Sequence, residues 1–89
     1  MRELLLNSLT LSDSGGRLRS YRYYITVDEV EAGSLMCESY GIRIEEQGGQ
    51  QAFVNHLTCS VSRMEQLANT LVRNQVTPIG LADVIDDWL

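Results

Sequence analysis

Hydrophobic positions recur at every second residue through roughly the first two thirds of the chain, then at every third or fourth. The period-two pattern is clearest over residues 18–30. There Tyr21, Tyr23, Ile25 and Val27 alternate with Ser20, Arg22, Tyr24, Thr26 and Asp28, which predicts a strand with one dry and one wet face. Residues 3–12 alternate in part, with Leu5, Leu9 and Leu11 in one phase and Leu4 and Leu6 in the other. Residues 35–46 predict a third strand. Leu35 and Cys37 share one phase and Tyr40, Ile42 and Ile44 the other, with Gly41 near the change, so a bulge or kink is expected there. Residues 52–57 predict a short fourth strand. Turn chemistry separates the strands: Asp13-Ser14-Gly15-Gly16, Glu31-Ala32-Gly33-Ser34, and Gly48-Gly49 as a two-residue hairpin between Gln47 and Gln50. Connections this short join antiparallel strands, because a parallel crossover needs about a dozen residues or more.

From Val61 the period becomes helical. Val61, Met64, Leu67, Ala68, Leu71 and Val72 form one stripe, and Arg63, Glu65, Gln66, Asn69 and Arg73 face away from it. Ser62 and Glu65 have capping-box spacing, and Ser60 is an alternative cap. Asn74 is the expected left-handed stop, with Val76 folding back onto the helix. Thr77-Pro78 then predicts a second start, a threonine cap followed by proline at the first helical position, with Leu81, Val84, Ile85 and Trp88 as the buried stripe. The expected fold class is therefore α+β, a four-stranded antiparallel meander followed by two carboxyl-terminal helices packed on one sheet face, ββββαα. It reads as a single domain over residues 1–89, with the meander in 1–59 and the two-helix layer in 60–89.

Length and composition limit what such a domain can do. At 89 residues and 10.0 kDa, surface scaling buries roughly 64% of the unfolded chain's surface, a modest core with little volume for an enclosed catalytic cavity. The seven cations are all arginine: Arg2, Arg17, Arg19, Arg22, Arg43, Arg63 and Arg73. Without lysine, Schiff-base chemistry and a phosphate-loop lysine are excluded. His56 is the sole histidine, so sites that need two imidazoles are excluded as well. Cys37 and Cys59 lack CxxC spacing, and the amino-terminal apolar stretch is broken by Asn7, Ser8 and Thr10, too early for a signal-peptide core. A cytoplasmic protein with reduced thiols is the expectation, with no membrane span and no obligatory small molecule or cofactor.

Several residue groups taken together resemble a small family of short proteins from clostridia and related Firmicutes, a domain of unknown function. They are Tyr40-Gly41-Ile42, the helix over Val61 to Val72, and Val76-Thr77-Pro78 with Leu81, Asp83, Val84, Ile85 and Asp87. The resemblance implies a cytoplasmic bacterial protein and carries no catalytic residue, cofactor or substrate with it.

Candidate chemistry is sparse. His56 and Cys59 are the one pairing with the flavour of metal ligands or of a thiol nucleophile and its base. Cys37 and either Glu38 or Glu45 would have to complete a zinc set, and strand alternation does not bring them together. The paired glycines lie between strands rather than between a strand and a helix, so they do not form a phosphate cradle. Charge distribution says more than charge total. Residues 1–27 hold four arginines against Glu3 and Asp13, a balance of +2, and the remaining residues carry −7, which sums to the net −5. Arg17, Arg19, Arg22 and Tyr24 on the first hairpin, and Asp83, Asp86 and Asp87 on the last helix, are the candidate interaction surfaces. An arginine–tyrosine sheet face can stack single-stranded nucleic acid, but the acidic total disfavours it. The leading expectation is a non-catalytic protein acting through contact with another protein or with itself. A small-ligand sensor is the alternative, with a pocket between sheet and helices lined by Tyr21, Tyr23, Met64 and Trp88, and a thiol-dependent enzyme using Cys59 and His56 is the third.

Overall fold

A computed structural model describes residues 2–89. Four strands, β1 (Arg2–Ser12), β2 (Leu18–Ala32), β3 (Leu35–Glu46) and β4 (Gln51–Thr58), pair antiparallel in the order β1-β2-β3-β4. Helix α1 (Val61–Arg73), a 3-10 turn (Pro78–Gly80) and helix α2 (Leu81–Trp88) follow, so the fold is the expected α+β meander with two terminal helices. The dry face of the sheet is made by Tyr21 and Tyr23 of β2 with Ile42 and Ile44 of β3. It packs against Met64, Leu67, Ala68 and Leu71 of α1 and Leu81 and Ile85 of α2 in one continuous core. Burying those stripes is what holds two short helices that would be marginal in water alone.

Register explains where the apolar phases change. The β2–β3 ladder runs unbroken from Tyr21↔Glu46 to Ala32↔Leu35, so β3 has no bulge of its own. The irregularity lies on the neighbouring strand: Tyr40 faces Thr58 and Ile42 faces Val54, leaving Asn55, His56 and Leu57 opposite Gly41. His56 takes a left-handed backbone there, with φ 56°. Gly41 is what permits this approach. A Cβ at that position would collide with the Val54 carbonyl oxygen and lie 2.6 Å from Thr26 Oγ1 and 2.8 Å from Asn55 Cα. The other expected phase grouping is corrected by β1, whose pairing with β2 slips by one residue between Leu5 and Asn7. Leu4 (opposite Ile25), Leu9 (opposite Tyr21) and Leu11 (opposite Arg19) therefore share the helix-side face, and Leu5, opposite Tyr24, lies on the other.

Turns and caps differ from expectation in detail. The third turn holds three residues rather than two, closed by the Glu46 amide donating to the Gln50 carbonyl at 2.8 Å. Ser60, not Ser62, caps α1, its hydroxyl accepting from the Arg63 amide at 3.3 Å. The left-handed stop is Gln75 (φ 53°), not Asn74. The amides of Gln75 and Val76 return to the carbonyls of Val72 and Leu71, the two bonds of a Schellman ending. Thr77 stands before Pro78 without a side-chain capping bond, and Pro78 opens the 3-10 turn rather than α2 itself. Tyr23 ties this turn to the sheet, its hydroxyl donating to the Val76 carbonyl at 2.8 Å.

Candidate interaction surface

Helices cover one face of the sheet only. The other face is built from the second phase of each strand: Glu3 and Leu5 of β1, Arg22, Tyr24 and Thr26 of β2, Arg43 and Glu45 of β3, and Gln51 and Phe53 of β4, placed side by side by register. At its centre lies Arg43. Its guanidinium donates to both carboxylate oxygens of Glu3 (2.7 and 3.0 Å), to Glu45 (2.6 Å) and to Gln51 Oε1 (3.3 Å), and stacks 4.1 Å above the Tyr24 ring. One side chain thereby spans all four strands. Hydrogen bonding to Glu3, ahead of that to Glu45, raises the Arg43 pKa further above its ordinary value, so the group is a permanent cation. Around this polar centre Leu5 and Phe53 are each about three-fifths exposed, and a shallow cavity of about 150 Å³ lies between Phe53, Thr26 and Asn55.

The seven expected interaction residues separate into three groups. Arg22 lies on the open face, exposed and without an ion pair among the described residues, next to Tyr24. Arg19 lies on the helix-side face and is already committed to Glu46 at 2.5 Å and Asp13 at 3.2 Å, of which Glu46 contributes most to raising its pKa. Asp13 organises the first turn, accepting from the Arg17 and Gly15 amides at 2.9 Å each; chiefly the Arg17 amide holds its carboxyl below the ordinary value. Arg17 itself is exposed at that turn. Asp83, Asp86 and Asp87 are exposed on α2, in the layer on the opposite side of the sheet. Because α2 begins at Leu81, Asp83 lies in its first turn, the favourable end of the helix dipole, whereas Asp86 and Asp87 lie toward its negative end. Arg22 and Tyr24 are thus on the face opposite the acidic candidates, whereas Arg19 is on the same side of the sheet as the helices.

The other candidates are placed as follows. His56 approaches Asp28, Nε2 to Oδ2 3.9 Å. Cys59 is exposed and lies close enough to Tyr40 to help raise that phenol's pKa, behind burial and Glu38. No hydrogen bond joins Cys59 to His56, and no three metal-ligating side chains gather among the described residues. Tyr21, Tyr23 and Met64 are buried in the core, and Trp88 lies under the Arg63 guanidinium at 4.4 Å. An open groove of about 350 Å³ runs instead beyond the end of α1, between Leu4, Val27, Tyr40, Val61 and Met64.

Arg43 is the residue that sequence reasoning missed. It is three positions into a stretch read for its isoleucines, and nothing in spacing alone says that it meets Glu3, 40 residues earlier. The available signal was its phase: once β2 and β3 are paired through a short turn, Arg43 falls opposite Tyr24.

No curated protein and no solved structure matches the chain. A family model does, over residues 2–89, which is nearly the whole chain. The sheet, both helices and the open face all lie within that match, and the chain belongs to the family of unknown function DUF6514.

Proposed function

We propose that the chain is a non-catalytic cytoplasmic protein that works by binding another protein through the open face of its sheet. The observation that carries this reading is the uncovered sheet face, where Leu5, Phe53 and Arg22, which makes no ion pair among the described residues, surround the Arg43–Tyr24 centre. Aromatic and arginine side chains over a preorganised platform are the composition of interface centres. Ordering such a face beforehand lowers the entropy lost on binding. The free thiols of Cys37 and Cys59 support a reducing compartment. Tyr24 presents one ring face to Arg43, and Glu3 and Glu45 offset the charge of Arg43, which favours a protein over a nucleic acid as the partner.

The test is paired capture from the source cell's lysate, with wild-type chain and an Arg22→Glu/Phe53→Ser variant of equal thermal stability. Proteins retained by the wild type and lost at least tenfold by the variant are the expected result. Identical retention by both chains would remove the open face from consideration.

A further inference from the structure

β1 is an edge strand, paired with β2 on one side only among the described residues. Its residues include two charges, Arg2 and Glu3, and neither lysine nor proline, and Leu4, Leu5 and Leu6 are 55%, 59% and 37% exposed. Long apolar edges of this kind invite another strand. The opposite edge is blunted: β4 is shorter, is broken by the left-handed His56, and is approached by α1 and the 3-10 turn. A row of backbone donors and acceptors left open along such an edge is complemented by an extended segment that adds as a further strand.

We propose that the segment is β1 of a second copy, paired antiparallel about a two-fold axis to make one continuous eight-stranded sheet. The run Leu4-Leu5-Leu6-Asn7-Ser8-Leu9-Thr10-Leu11 is close to its own complement when reversed. Leu4 then meets Leu11, Leu5 meets Thr10, Asn7 meets Leu9 and Ser8 lies on the axis opposite its own copy, with Leu6 as the extra residue of each strand. At the ends Arg2 meets Asp13 and Glu3 meets Ser12, so no like charges oppose each other. In a regular strand this pairing would be forbidden, because positions whose numbers sum to an odd value point to opposite faces. The extra residue between Leu5 and Asn7 removes the conflict. It brings Leu4 and Leu11 to the helix-side face, and leaves Leu5 and Thr10 on the open one. The contact is isologous and closes on itself. Docking Arg22 onto the acidic helix of another copy would instead join opposite sides of the molecule and continue into an open chain.

The inference rests on the reading of the chain as an interaction protein, but it uses a different surface. Its test uses the full chain with Cys37→Ser and Cys59→Ser, carrying either Leu4→Cys or Leu11→Cys, after circular dichroism shows both variants folded. Mixed under mild oxidant, the two variants are expected to form a disulfide-linked dimer at least tenfold faster than either alone, and the unmodified chain to sediment as a dimer as its concentration rises. A monomer at every concentration up to about 1 mM, a limit weaker than specific pairing, would overturn the inference. So would cross-linking of each variant to itself as fast as to the other. Either failure leaves the paired capture through Arg22 and Phe53 standing, and failure of that capture leaves the cross-link result standing.

Discussion

At the scale of single residues, three positions carry more than their residue type suggests. Arg43 is a bidentate partner of Glu3 and is also stacked on Tyr24, a combination that a lysine point charge does not reproduce. Arg43→Lys is expected to lower stability by about 1–2 kcal/mol, because charge-assisted hydrogen bonds are lost while the charge is kept; urea unfolding measures it. Gly41→Ala should cost about 2–3 kcal/mol, since the new methyl meets the backbone of β4, which cannot turn aside as a side chain would. Gln75→Gly should go the other way and stabilise by about 0.5–1 kcal/mol, because a left-handed helix ending favours a residue without Cβ. These residues also mark how far the chain could be read from its letters. Gly41 announces an irregularity but not that the neighbouring strand carries it. Asn74 has the composition of a stop, yet the helix runs its Schellman bonds through Gln75, since those bonds let Val76 close the core.

At the scale of elements, strand and helix existence was legible because their periods differ, and boundaries fell within a residue or two of the expected ones except at α2, which starts at Leu81 rather than at the expected Pro78. The phase of β1 was not legible. Leu4, Leu5 and Leu6 are all apolar, so alternation alone cannot say where one residue is skipped, and only pairing with Ile25, Tyr24 and Tyr23 shows it. Beside the shared hydrophobic core, a long-range hydrogen bond from Tyr23 to the Val76 carbonyl joins the two layers. Tyr23→Phe leaves that buried carbonyl without its donor and should cost about 1–2 kcal/mol. Burial, with Tyr21 beside it, raises the Tyr23 pKa above its ordinary value of about 10. The folded state therefore holds the phenolic proton more tightly than the unfolded one. Stability from this group is fully present below that ordinary value, and is lost as pH rises from there through the folded-state pKa. Thermal melts in alkaline buffers should show the decline, and Tyr23→Phe should flatten it.

At the scale of the whole molecule, the −5 charge hides a division of labour between faces. The open face is held by an arginine that its own acids neutralise, Arg22 remains exposed beside it, and three aspartates lie on the far side in α2. The open face was half legible: Arg22 and Tyr24 were readable from alternation, and Arg43 became readable only after strands were paired. Removing the last four residues would be a poor test of the acidic patch, since Trp88 packs under Arg63 and leaves with them. Asp86→Asn/Asp87→Asn keeps that packing and relieves the negative end of the helix dipole, so a gain of about 0.5 kcal/mol in urea unfolding is expected.

The central claim is that this chain works through contact surfaces and that its first partner is itself along β1. The most direct measurement is backbone amide hydrogen exchange on the wild-type chain at low and high protein concentration. The outward-facing amides of Arg2–Ser12 are expected to slow at least tenfold at high concentration, and those of β4 to stay unchanged. Amides of β1 that exchange at one fast rate regardless of concentration would contradict the pairing.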